Sequence, residues 1–212
     1  MVREFAGKME RAISGAENIV IVGHFNPDGD SVGSVTGMYY YLKELGKKAV
    51  VVLPSSYPEY LSFLDKDKEY LIFTKNPEKV AQAIEESDLI IGLDFNNLGR
   101  TEGVKNLFAA SSAQKILIDH HPNPERSSFD LICSTVDTSS TCELLFYVLM
   151  ETALVDNDIE KMPYRSAEGL ATGMLTDTNN FKNSSIASTY NMASLLLKRV
   201  VSLDDLGKRV FG

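Results

Sequence analysis

The chain has 212 residues, 44% of them hydrophobic and 24% charged, with a formal net charge of −8. That length can bury a substantial core in one domain, and the acidic balance argues against a broad basic surface for tracking long duplex nucleic acid. No stretch approaches the roughly 20 apolar residues of a membrane span, and the N-terminal segment holds no signal-peptide core, so the expectation is a cytoplasmic protein.

Six apolar runs suited to buried parallel strands follow one another: NIVIVGH, KKAVVVLP, EYLIFT, DLIIGLD, KILIDHH and DLICST. After the first, residues 30–46 carry Val32, Val35, Met38, Tyr39 and Leu42 at helical spacing and close on Gly46. After the third, NPEKVAQAIEES predicts a helix from Pro77 to Glu86, with Asn76 as its cap and proline at the first helical position. Beyond residue 136 only helical segments remain: SSTCELLFYVLMET, the region around PYRSAEGLATGMLTDT, IASTYNMASLLLKRV and LDDLGKRVF. The fold class is therefore α/β, a mainly parallel sheet flanked by helices, with a helical C-terminal half. Cys133 and Cys142 supply neither a disulfide framework nor a CxxC zinc signature, and are expected as buried reduced thiols.

The chain has three histidines, and each ends an apolar strand beside an aspartate. His24 precedes Asp28 and Asp30 in FNPDGD, Asp94 ends LIIGLD, and Asp119, His120 and His121 end KILIDHH. In an open parallel sheet, groups beyond the carboxyl ends of the strands converge on one edge. Several carboxylates brought together repel one another unless they protonate or bind cations, and neutral imidazoles beside them add nitrogen ligands. Divalent metal is the simplest resolution. Asp28 and Asp30 also suit a turn and a helix N-cap, roles compatible with ligation. The GDSVGS turn lacks GxGxxG, and no GxxxxGK[ST] occurs, which sets aside a dinucleotide loop and a P-loop.

At these residues the chain resembles the Asp-His-His (DHH) phosphoesterase superfamily. Four motifs carry the likeness in the family's order, GHFNPDGDSVGS, GLDFNNLGR, LIDHHPNP and GMLTDTNNF, and they extend from residue 23 to 181. TSSTCELLF at 138–146 also looks like a family segment. The nearest likeness is to the RecJ-like branch that includes oligoribonuclease/phosphoadenosine-phosphate phosphatases, loosely called exopolyphosphatase-related. The resemblance implies two divalent cations, Mn²⁺ by family pattern, although the ligand types also suit Mg²⁺, Fe²⁺, Co²⁺ or Zn²⁺. One would be held by His24, Asp28 and Asp94. The second would be held by Asp30, Asp94, His120 and Asp177, with Asp94 as the bridge. Asp177 is expected in a polar loop after a helix.

The implied reaction is hydrolysis of short oligonucleotides or nucleotide phosphates, by water activated between cations about 3.5–4 Å apart. Asp94, His121 and Asp119 are the catalytic candidates, with Asp119 orienting a metal-bound histidine. His121 is expected to touch phosphate, Arg100 to clamp it, and Ser140, with Ser139 and Thr141, to donate to it or to cap a helix. The alternatives are phosphoanhydride hydrolysis, as in pyrophosphatase and exopolyphosphatase relatives, and a non-catalytic nucleotide-binding module. Many members of the branch add a C-terminal substrate-binding domain, and nothing here matches it. Residues 1–212 are expected to be the catalytic domain, with 188–212 as a linker helix, and a homodimer follows from the family pattern.

Overall fold

The computed structural model describes residues 1–212. The six apolar runs become β1 (Asn18–Val22), β2 (Lys48–Leu53), β3 (Leu71–Ile72), β4 (Leu89–Leu93), β5 (Gln114–Asp119) and β6 (Leu131–Ser134). The helices are α1 (Val2–Gly15), α2 (Gly29–Glu44), α3 (Pro77–Glu85), α4 (Lys105–Ala110), α5 (Thr141–Met150), α6 (Tyr164–Asp177), α7 (Ala187–Lys198) and α8 (Leu203–Phe211). None is long and apolar enough to cross a membrane. Helix α1 was not expected, although Phe5, Met9 and Ile13, four residues apart and buried, mark its inner face.

All strands are parallel, in the order β3-β2-β1-β4-β5-β6. The chain builds outward from β1 through β2 to β3, then returns to the other side of β1 to lay down β4. The order reverses between β1 and β4, and there the connections leave in opposite directions and open a crevice at the carboxyl edge. Alternate side chains feed two cores. Ile19, Ile21, Leu53, Ile91 and Ile118 pack under α1, α2, α5 and α6, while Val20, Val22, Ile90 and Leu117 pack with Val80, Ile84 and Phe108 of α3 and α4.

Helices α2 and α6 meet through glycine. A Cβ on Gly33 would stand 2.5 Å from Gly169 O and 2.9 Å from Gly173 N, so backbone lies on backbone. Only glycine permits this approach. It sets the start of α2 against the end of α6, so that Asp30 and Asp177 meet although they are far apart in sequence.

Three expectations are corrected here. The stretch 188–212 is two helices, because Val200 takes a left-handed φ of 65° and turns the chain after α7. Strand β3 spans only Leu71–Ile72 of the expected EYLIFT, since at the sheet edge it pairs with β2 alone. Helix α3 starts at Pro77, but the Asn76 side chain makes no capping bond.

Candidate metal centre

His24 lies two residues beyond β1, Asp94 one beyond β4, and His120 one beyond β5, so the switch-point crevice collects all three. Asp28 is the N-cap of α2, its Oδ1 accepting from the amides of Asp30 and Ser31 at 3.0 Å, while the same oxygen lies 3.8 Å from His24 Nε2. Capping and ligation would thus share one side chain. Asp94 holds a left-handed φ of 67°, costly for a residue with a Cβ and the kind of strain that collects at functional sites. Its Oδ2 lies 3.4 Å from His24 Nε2 and its Oδ1 lies 3.7 Å from His120 Nε2.

Asp30 is buried at the N-terminus of α5. Its Oδ2 and Oδ1 accept from the amides of Thr141 and Cys142 at 2.7 and 2.8 Å, a charge-assisted pair at the positive end of a helix. Asp177 is the last residue of α6 rather than part of a loop, because the helix runs through Thr176 before the left-handed turn at Asn179–Phe181. Its Oδ2 stands 3.5 Å from His120 Nε2.

Two donor sets result: His24, Asp28 and Asp94, and Asp30, His120 and Asp177, each with ligand atoms within 4.8 Å of one another. At that separation two carboxylates repel by about 3 kcal/mol at an effective dielectric of 20. A hydrogen bond to a charged group returns about 1.5–3 kcal/mol. Neutral donors alone therefore do not quiet several carboxylates at once, and a proton or a cation must.

His24 tests the fit to a cation. Its Nδ1 is 2.8 Å from Phe25 O and donates to it, which in the neutral ring leaves Nε2 as the lone-pair atom. That Nε2 is buried, has no hydrogen-bond partner, and points between Asp28 and Asp94. A metal ion there would complete it. A third grouping of Asp94, His120 and His121 is geometrically close, but His121 turns Nδ1 toward Asp94, and Nδ1 is already 2.7 Å from Asp119 Oδ1.

Asp119 corrects an expectation. It is fully buried, and its two oxygens accept from His121 Nδ1 and His121 N, so it orients His121 and not His120. Side chains two apart on an extended chain share a face, and that rule alone favours Asp119 with His121. With Nδ1 carrying the proton, His121 Nε2 accepts from Arg100 Nη1 at 3.0 Å. Phe25 N in turn donates to Arg100 O at 2.7 Å, stitching the loop after β4 to the loop after β1.

Ser140 is also corrected: it is fully buried, its Oγ caps α5 by accepting from Glu143 N at 3.0 Å, and it presents no atom to the crevice. Thr141 is the hydroxyl that faces the cluster. Glu143 was missed, although Ser140-x-x-Glu143 has the spacing of a capping box. The two cysteines are buried free thiols, as expected.

The charges confirm the crowding. Burial followed by Asp30 and Asp28 pushes Asp177 up to about 8, and burial chiefly lifts Asp94 to about 6. For His24, burial disfavours the cation, but Asp28 and Asp94 outweigh it and raise the pKa to about 10. Burial and then His121 lower His120 to about 4.

In protein stripped of divalent cations, the raised Asp177 loses its stability contribution as pH climbs from 3.8 to about 8, and His24 loses its own from 6.5 to about 10. His120 gains its contribution between about 4 and 6.5 and is flat above. The melting temperature of chelator-treated protein is therefore expected to fall between pH 6.5 and 8 and to recover with Mn²⁺. A flat profile in that window, unmoved by Mn²⁺, would refute the crowded-carboxylate account.

A doubly wound parallel sheet with imidazole and carboxylate donors gathered at its switch point defines an α/β protein with a candidate divalent-metal centre. The chain belongs to the DHH family: the model of the DHH family, N-terminal domain, matches residues 18–174. Over 194 residues it is 31% identical to the bifunctional oligoribonuclease and PAP phosphatase NrnA of Thermus thermophilus, covering 91% of this chain and 53% of that protein. It is 26% identical to the cyclic-di-AMP phosphodiesterase PdeA of Listeria monocytogenes, covering 92% of this chain and 30% of the relative. The chain thus spans about half or less of these relatives. Among solved structures, an exopolyphosphatase-related protein from Bacteroides fragilis matches with a TM-score of 0.92 and 33% identity, over 98% of this chain and 60% of that one. RecJ from Thermus thermophilus, solved with Mn²⁺, shares the fold at a TM-score of 0.60 and 18% identity, over 94% of this chain and 27% of that one.

Proposed function

We propose that the centre hydrolyses phosphoester bonds in short oligonucleotides or in nucleotide phosphates such as phosphoadenosine phosphate, with two divalent cations, Mn²⁺ by family pattern. The observation that carries the reading is the pair of donor sets, with Asp94 of the first 3.7 Å from His120 of the second, flanked by the Arg100–His121 contact. His24, Asp28 and Asp94 would hold one cation, and Asp30, Asp94, His120 and Asp177 the other. When bound, such a pair supplies Lewis acidity, an activated water at neutral pH and charge for the phosphoryl group.

The chain's own groups do the remaining work. Asp119 keeps the His121 proton on Nδ1, so the Nε2 lone pair takes the Arg100 hydrogen bond and holds the guanidinium at the crevice; Nε2 becomes free to accept a proton only when Arg100 turns its donors to a phosphate. Arg100 spends one N–H on His121 and has further donors in a planar fork suited to two phosphate oxygens. Ser140 takes no part. Selectivity we place outside the donor set, because these residues recognise a phosphoryl group and not what it is attached to.

The likeness to an exopolyphosphatase-related protein favours phosphoanhydride hydrolysis as the second reading. A Mn²⁺-loaded assay on dinucleotides, phosphoadenosine phosphate, pyrophosphate and polyphosphate separates the two. Turnover of the first two above the last two is the expected result. Turnover of pyrophosphate and polyphosphate alone would favour the second reading, and metal binding without any hydrolysis would leave a binding module.

A further inference from the structure

Thr141 opens α5 from inside the cluster without offering it a ligand. Its N–H donates to Asp30 Oδ2 at 2.7 Å, its Oγ1 is 2.9 Å from Asp94 Oδ1, and the same Oγ1 accepts from His120 N at 3.3 Å. A hydroxyl carries one proton, and the His120 amide can only donate, so that proton goes to Asp94. One residue therefore ties the first turn of α2 to the residues that follow β4 and β5. It is fully buried, which rules out contact with substrate.

The effect falls on the two oxygens of Asp94. Oδ1 carries the Thr141 bond and lies on the His120 side, and Oδ2 lies 3.4 Å from His24 Nε2. A terminal carboxylate rotates freely about χ2 unless something holds it. The Thr141 bond holds it, and so turns one oxygen to each donor set.

Thr141 is itself anchored. Glu143, one turn into α5, is 1% exposed and has no cation within salt-bridge reach. Its carboxylate accepts from Ser139 N at 3.1 Å, Ser139 Oγ, Ser188 Oγ at 2.5 Å and Thr189 Oγ1 at 2.7 Å. A buried carboxylate costs several kcal/mol unless satisfied, and here neutral donors from two helix starts satisfy it. The network locks the Ser139–Thr141 turn to the beginning of α7.

We propose that Thr141 is the positioning residue that makes Asp94 a bridge between the two donor sets, with Glu143 as the anchor that keeps Thr141 in place. The inference rests on the two-cation reading above. Thr141→Val keeps the size and the N–H to Asp30 but removes the hydroxyl, whereas Thr141→Ser keeps the hydroxyl. Calorimetric titration of cation-free protein with Mn²⁺ is expected to show two ions bound by wild type and by Thr141→Ser. In Thr141→Val one ion should bind nearly as in wild type and the other about 10–100-fold more weakly, the range seen when a ligand's orienting partner is lost.

Glu143→Gln, beyond the centre itself, should weaken the same ion by a smaller factor. A purely structural role would lower the melting temperature of both variants while leaving both affinities unchanged, and that result overturns the proposal. Should Thr141→Val fail to fold, unchanged affinities in Glu143→Gln overturn it equally. Fewer than two ions in wild type would overturn the two-cation reading and this inference together; two in wild type and two unchanged in the variants would fault Thr141 alone.

Discussion

Asp94→Asn should abolish paired cation binding and cut phosphoester hydrolysis by about 10³-fold or more, since on the proposed two-cation reading Asp94 would serve both ions and several kcal/mol of charge stabilisation would go with it. The substitution keeps the size and shape of the side chain. It also keeps the acceptor that Thr141 needs, provided the amide oxygen takes the Oδ1 position. What it removes is charge, and it places an NH₂ opposite His24 Nε2. With His24 neutral, that amide can donate to the otherwise unpartnered Nε2 and so compete with a cation for it. In cation-free protein the same change removes one of the two carboxylates that hold the His24 proton, so the His24 pKa is expected to fall from about 10. Loss of metal with full activity retained would remove the bridging role; full metal binding with activity lost would move Asp94 from holding the ions to acting on the substrate.

The second large effect belongs to a residue with no chemistry of its own. Gly173→Ala adds a single carbon that would overlap Cys142 Sγ and lie 2.9 Å from Asp30 Oδ1. Helix propensity alone favours alanine over glycine by about 1 kcal/mol. Overpacking a filled interior costs about 1–3 kcal/mol, and here the neighbours are a buried thiol and a buried carboxylate fixed by two amides, so the clash wins. The expected result is a lower melting temperature together with loss of the ion on the Asp30, His120 and Asp177 set. Gly207→Ala is the control: it lies inside α8 with open space around it, so the same substitution should raise stability by up to about 1 kcal/mol. If both glycine variants stabilise the protein, close packing of α2 on α6 is not what holds the centre together.

Much of this centre is legible in the sequence, for a definite reason. Strands of a parallel sheet are covered on both faces, so they stand out as unbroken apolar runs, and a polar residue ending such a run marks the carboxyl edge. His24, Asp94 and His120 were visible on that ground. Asp177 was not, because it arrives on a helix whose placement depends on Gly33 meeting Gly169 and Gly173, and each glycine alone looks like an ordinary small residue. The partner of Asp119 was mistaken for the adjacent ligand histidine, although the alternation of side chains along β5 points to His121. Thr141 was visible only as one of three hydroxyls at a helix start. Its link to Asp94 depends on α5 crossing to the end of β4, which local spacing does not encode.

The backbone bond from Phe25 N to Arg100 O has a consequence for how substrate and metal sense each other. The residue that would grip an anion and the turn that carries His24 are pinned at a single peptide. Should closing over a phosphate move the Arg100 backbone, that bond would carry the shift to the histidine next door. Binding free energies around such a joint are reciprocal: whatever factor a phosphate adds to cation affinity, a cation must add to phosphate affinity. Metal retention in this protein is therefore expected to follow how fully the crevice is charged with substrate.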